Sequence, residues 1–206
     1  VDAKETARLE AFSDGVFAIA ITLLVLELRV PEGKLLPGLL HEWPSFLSFT
    51  LSFVTILIMW TNHHANLSHV VRADGRLLFA NGFLLLMVTF VPFPTAVLGQ
   101  HLADGDARVA AALYAGTFVA INVAWVGFWR SIVRRRAVLA PTLPDAEVRA
   151  VTQALAVGFV AYLSAVGLSV AYAPAGVGLC MVLAGFWTFQ AMRHHRDDHR
   201  HAGSSA

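Results

Sequence analysis

Long runs without a charged side chain, separated by short polar connections, set the pattern of this chain. Residues 77–100 and 109–129 contain no Asp, Glu, Lys, Arg or His. Each matches the roughly 20 residues, at about 1.5 Å apiece, that a helix needs to cross a hydrocarbon core of about 30 Å. Residues 150–192 are also free of these side chains. As one helix they would measure about twice the core thickness, so the run must fold back. The break is readable at Tyr172-Ala-Pro-Ala-Gly176, where Pro and Gly interrupt the helix and allow a tight reversal. Two more runs complete the pattern: 43–62, and 9–28, which holds Glu10 and Asp14 near its start and Glu27 near its end. The expectation is an all-α integral membrane protein. It has six transmembrane helices, at about 9–28, 43–62, 77–100, 109–129, 150–171 and 176–192, within one domain over 1–193. A solvated, disordered cytoplasmic tail follows at 194–206.

Composition agrees: 57% of the 206 residues are hydrophobic, 14% are charged and the mean hydropathy is +0.63, too apolar for a domain dissolved in water. A basic start before an apolar stretch also fits a secretory signal peptide. Glu10 and Asp14 inside the segment, and no small-x-small cleavage site after it, favour a span. Charge then gives direction, because cytoplasmic loops are enriched in Lys and Arg. Lys4, Arg8, Arg72, Arg76, Arg130, Arg134, Arg135, Arg136, Arg149, Arg193, Arg196 and Arg200 fall on one side, and Arg29, Lys34 and Arg108 on the other. Both termini are therefore expected in the cytoplasm, which requires an even number of spans. Cys180 lies within the last span, so no disulfide framework exists within one chain. The basic loop 130–136 reads as a topology signal in contact with membrane lipids rather than as a nucleic-acid site. The histidines of 194–201 are too irregularly spaced for a metal tract. No loop is long enough to hold an enzyme domain, and no cofactor is expected.

Polar side chains inside a membrane are costly and mark function or a compulsory partner. The set comprises Arg8, Ser13 and Asp14 on the first span, Trp60, Asn62, His63 and His64 at the end of the second, and Asn81 with Thr95 on the third. In this topology Asp14 and the two histidines share the cytoplasmic end and can meet. A buried carboxylate needs a cation or donors, which points to a cluster of Arg8, Ser13, Asp14, Trp60 and His63 or His64. Such a cluster is a packing clasp between helices, or a proton-sensitive gate, since histidine beside a carboxylate titrates near neutrality. A second face of the first span carries Ile19, Thr22, Leu23 and Leu26 at i, i+3, i+4 and i+7, with Asp14 about 140° away from Ile19. Alone, such a stripe is ordinarily lipid-facing or core.

The run Arg8-Leu-Glu-Ala-Phe-Ser-Asp-Gly15, continued to Leu28, resembles the start of the bacterial homologues of transmembrane protein 175, the endolysosomal potassium channel family. The resemblance extends through Trp60-Thr-Asn-His-His64, Asn81 and Val91-Pro-Phe-Pro-Thr95, at least the first half of the chain. The later spans match in number and hydrophobicity. The resemblance implies a six-span subunit with cytoplasmic termini in a multi-pass bacterial cytoplasmic (inner) membrane protein. It implies a homotetramer that conducts potassium and other monovalent cations through a pore lined by the first helix of each subunit. Ions would pass bulky apolar side chains, here Ile19, Thr22, Leu23 and Leu26, with no resident metal. The narrowest ring stays open between Ile19 and Leu23, because relatives place Leu where Ile19 stands. Arg8, Phe12, Ser13, Asp14, Trp60, His63, His64 and Asn81 would form the polar clasp and gating group. The sequence holds no Thr-Val-Gly-Tyr-Gly carbonyl filter, in agreement.

Two other classes predict features to compare. A proton-coupled or proton-leak transporter calls for a charged midplane site or inverted repeats, and neither is visible in the sequence. A membrane enzyme would need His63, His64 and His69 as metal ligands, but spacings of one and five residues do not put three imidazoles on one helical face.

Overall fold

A computed structural model describes residues 2–134 and 144–203, with side chains described over 5–134 and 144–189. Its elements are helical: α1 (Asp2–Leu23) tightening into a 3-10 turn (Leu24–Glu27), α2 (Leu35–His41), α3 (Trp43–Ser68), α4 (Gly75–Thr89), α5 (Pro92–His101), α6 (Ala107–Val133), α7 (Asp145–Ala171) and α8 (Ala173–Gly203). Five segments are long and apolar enough to cross a membrane: Glu5–Glu27, Trp43–Ser68, Gly75–His101, Ala107–Val133 and Asp145–Ala171. These overlap the first five expected spans. The sixth expected span corresponds to a shorter apolar helix, Ala173–Phe189. The side chains of the expected tail, 194–206, lie outside the described residues, as do Arg135 and Arg136 of the basic loop.

Local chemistry explains the helix boundaries. Asp74 sits before α4 in an extended conformation and its carboxylate accepts the Leu77 backbone N–H at 2.9 Å, satisfying one of the orphan donors of the first turn. Pro44 occupies the first turn of α3, where its missing N–H removes no bond. The third span breaks after Thr89 and resumes at Pro92, because Pro92 and Pro94 cannot donate into the ladder. Thr95 Oγ1 takes up the Val91 carbonyl at 2.8 Å just beyond the break.

The most enclosed helix is α6, with Tyr114, Phe118, Phe128, Trp129 and Ile132 all buried. It packs against α4, α5, α7 and α8. Tyr114 is fully buried, and its hydroxyl meets Ser52 Oγ at 2.9 Å, which in turn meets Thr95 Oγ1 at 2.7 Å. This relay ties α3, α5 and α6 together where no water can substitute. By contrast α1 lies at the edge of the bundle and packs on α3 and α4.

The fold-back between α7 and α8 is tight. Tyr172 is extended, its backbone N–H caps the Leu168 carbonyl at 2.7 Å, and Gly176 lies against the buried Ser169. A Cβ on Gly176 would lie 2.8 Å from the Ser169 Cα, whereas nothing lies within 4 Å of a Cβ on Gly178. Gly176→Val is therefore expected to destabilise the protein by about 1–3 kcal/mol through overpacking. Gly178→Ala should leave it unchanged. Unfolding of the detergent-solubilised protein by a denaturing detergent measures both, and equal midpoints for the two variants would contradict the close packing of this hairpin.

A buried polar network and an exposed apolar stripe on the first helix

Helical spacing divides α1 into two faces. Leu9, Ser13, Phe17, Ala20 and Leu24 recur every three or four residues and are all buried. This side is held by hydrogen bonds whose direction can be worked out. The Ser13 hydroxyl donates to the Leu9 carbonyl at 2.8 Å, since a carbonyl can only accept. Ser13 Oγ is left to accept, and Asn81 Nδ2 donates to it at 3.0 Å. That fixes the amide orientation and turns Asn81 Oδ1 toward His63 Nε2 at 2.7 Å, so Nε2 carries the proton. Three helices, α1, α4 and α3, thus meet in one unidirectional chain of donors.

Aromatic walls enclose the imidazole. Phe128 stacks on His63 with ring centroids 5.1 Å apart, Phe17 lies at 5.3 Å and Trp125 meets it edge-on at 6.4 Å. His63 is fully buried, and its Nδ1 has no hydrogen-bond partner in the structure. Nε2–H is the donor that the network uses, so the free lone pair on Nδ1 belongs to this tautomer.

One turn outward the network becomes half-exposed and includes two carboxylates, Asp14 and Glu10. The Trp60 indole N–H donates to Asp14 Oδ1 at 2.8 Å, and His64 Nδ1 approaches Glu10 Oε1 at 2.9 Å. Glu10, Asp14 and His64 bring one ligand atom each within 4.8 Å of one another, as do His101, Asp104 and Asp106 at the opposite end of the bundle. These two groups are where a passing or bound cation would find oxygen and nitrogen donors among the described residues.

The structure brings Ser13, Asn81 and His63 together, pairs Asp14 with Trp60, and sets His64 beside them on Glu10. It does not bring in Arg8 or Phe12. Both are exposed, off the buried stripe that carries Ser13, and among the described residues Arg8 pairs with neither Asp14 nor Glu10. Glu10 is the partner that reasoning about residue types passed over. Its spacing of four from Asp14 was the available signal, since i and i+4 share a helical face. The buried Ser52 and Tyr114 were also unanticipated, because neither residue type is unusual in a span.

The remaining face of α1 is uncovered. Ile19 is 58% exposed, Leu23 40% and Leu26 72%. Thr22 is exposed as well, with its hydroxyl donating back to the Ile19 carbonyl at 2.9 Å. That local bond satisfies the hydroxyl without any neighbour, so the stripe presents no unmet donor. Helix α1 is pinned on one side by polar bonds and bare and apolar on the other.

Removing the centre of the network tests its weight. Asn81→Leu deletes the acceptor of His63 Nε2 and the donor to Ser13 and should destabilise the fold by about 1–3 kcal/mol. Asp14→Asn retains an acceptor for Trp60 and should have a smaller effect. Unfolding midpoints in detergent check the order, and a more damaging Asp14→Asn would mean that the outer pair, not the buried network, anchors α1.

Comparison with known proteins agrees with this architecture. The family described as "Endosomal/lysosomal potassium channel TMEM175" matches residues 8–92, the segment that carries the whole network. A potassium channel of Chamaesiphon minutus is 47% identical over 193 residues, covering 91% of this chain and 95% of that protein. The crystal structure of a lysosomal potassium-selective channel TMEM175 homolog from the same organism superposes with a TM-score of 0.82 at 46% identity, over 91% of this chain and 98% of that one. The human endosomal/lysosomal proton channel TMEM175 is 36% identical over 97 residues, 41% of this chain and 19% of the human protein. On this similarity along nearly its full length, the chain belongs to the TMEM175 family, a family of ion channels and not of enzymes.

Proposed function

We propose that this protein is the subunit of a potassium-permeable cation channel in a bacterial cytoplasmic membrane, with four copies setting their first helices around a common axis. The observation that carries this reading is the bare stripe Ile19, Thr22, Leu23 and Leu26, exposed on a helix whose other side is fixed by buried hydrogen bonds. One helix cannot surround a pore, and a closed cyclic assembly is the economical way to give such a face a neighbour. The potassium channel named for the Chamaesiphon minutus relative supplies the ion. Helix α8, with its apolar part at Ala173–Phe189, makes the sixth crossing, which returns both termini to the basic, cytoplasmic side.

A ring of Ile and Leu offers an ion no ligand, so conduction needs a wetted opening and closure proceeds by dewetting. Potassium sheds water more readily than sodium, which favours it at a tight apolar constriction. The outer connections add charge: Glu27, Glu32, Glu42, Asp104 and Asp106 stand against Arg29, Lys34 and Arg108, a formal 3 − 5 = −2 per chain. Asp104 is held below the usual carboxylate range by the Asp106 backbone N–H and by His101. It therefore keeps its charge as the outer solution is acidified, losing it only when pH falls through that lowered value. Fourfold repetition of this charge would concentrate cations at the outer mouth.

A second reading rests on the human relative, named a proton channel, and on the family match over residues 8–92, which include His63 and His64. It makes the pore, or a leak or coupled path beside it, permeable to protons. Potassium and proton flux into vesicles, each driven by its own gradient, separates the readings. Leu23→Ala is expected to raise potassium conductance in planar bilayers and lower the preference for potassium over sodium. Unchanged conduction in both Leu23→Ala and Ile19→Ala would remove the apolar constriction from the mechanism.

A further inference from the structure

A groove runs between α6 and α7. It is open along one side and has a volume of about 510 Å³. Its α6 wall comprises residues 126, 129, 130, 133 and 134, and its α7 wall residues 152, 155, 156, 159 and 160. Both sets follow i, i+3, i+4, i+7 and i+8, so each is one continuous helical face. The groove is therefore about 12 Å long, at about 1.5 Å per residue over eight residues.

Its two ends differ in chemistry. Arg130, Arg134 and Thr152 line the end at the basic membrane face, while Val126, Phe159 and Val160 line the end toward the membrane interior. Both arginines are exposed, and among the described residues neither makes an ion pair or a side-chain hydrogen bond. On α7, Glu147 does not neutralise them, since its carboxylate is turned to His69 Nε2 at 3.2 Å. The Trp129 indole N–H is already used on Thr152 Oγ1 at 3.0 Å, which holds the groove floor rigid between the two helices.

We propose that this groove binds an anionic phospholipid of the leaflet at the basic face, its phosphate on Arg130 and Arg134 and the start of one acyl chain along Val126, Phe159 and Val160. Charge complementarity selects this occupant: two guanidinium groups without a partner among the described residues, at the headgroup level, call for a phosphate that carries net negative charge. The apolar run below them calls for a chain attached to it. A soluble anion would leave that apolar run unfilled, and a zwitterionic lipid would leave net positive charge. The groove residue Trp129 directly follows Phe128, the ring stacked on His63, in α6.

Native mass spectrometry of the delipidated, detergent-solubilised assembly tests this, with phosphatidylglycerol and phosphatidylcholine of identical acyl chains titrated separately. Phosphatidylglycerol should bind about thirtyfold more tightly, as about 1 kcal/mol for each of the two arginines predicts. Arg130→Gln with Arg134→Gln should abolish the difference, phosphatidylglycerol losing more affinity than phosphatidylcholine. Ala156→Phe, which fills the apolar run, should weaken both lipids while keeping the phosphatidylglycerol preference. Equal binding of the two lipids by the unmodified protein overturns the proposal. So does competition by inorganic phosphate alone, which would mark an anion site, or loss of the assembly in Ala156→Phe with unchanged lipid binding, which would mark the groove as a contact between copies.

Discussion

Within a bilayer an amide, hydroxyl or imidazole cannot turn to water, and leaving one unpaired in hydrocarbon costs several kcal/mol. The arrangement of this protein follows from that constraint more than from the apolar attraction that organises soluble cores, because lipid tails are as apolar as the helices. His63 Nε2, Asn81 and Ser13 satisfy one another only if α1, α3 and α4 are brought to one register. Ser52, Thr95 and Tyr114 impose the same demand on α3, α5 and α6. Helix α3 takes part in both networks, so the five helices named here are set relative to one another by two small groups of polar atoms.

The first of these networks also decides which face of α1 is left over. A helix has one side to give to hydrogen bonds, and here Ser13 takes it, with Phe17, Ala20 and Leu24 following in the same stripe. Ile19, Thr22 and Leu26 then fall opposite by geometry alone. Their exposure is the complement of a buried polar clasp. The clasp and the stripe, which look like separate motifs along the chain, are two consequences of one orientation.

Much of this was legible along the chain because membrane spans announce themselves by missing charge. The runs 77–100 and 109–129 lie within helical segments of the structure, and the reversal at Tyr172-Ala-Pro-Ala-Gly176 falls where α7 gives way to α8. The meeting of Asp14 with Trp60 was foreseeable from the need of a carboxylate for a donor. The choice among cations was not. Arg8 carries the full charge that electrostatic reasoning prefers, yet it is exposed, and the contact between a carboxylate and a basic side chain there belongs to Glu10 and His64. Which of two nearby charges turns inward depends on the helix rotation that Ser13 and Asn81 impose, and that rotation is a tertiary property. The role of Asn81 as the central link was hidden for the same reason: one amide in a long apolar run shows that a partner exists but not which one.

The rigidity of this arrangement bears on how an apolar constriction could conduct at all. In the proposed channel no carbonyl or carboxylate replaces the water an ion sheds, so permeation depends on the width of the ring formed by Ile19 or Leu23. Dewetting makes that dependence steep. A wall helix in such a pore must hold its position closely, yet it cannot be clamped from the pore side, where nothing but water and ions should stand. Pinning must come from behind, and in a membrane the directional means for it is a satisfied hydrogen-bond network. The Ser13–Asn81–His63 chain sits on that side, backed by the rings of Phe17 and Phe128. Its atoms need touch no ion to govern the width of the pore. In the proposed channel they act by fixing the rotation and depth of the one helix whose free face would meet the ion path.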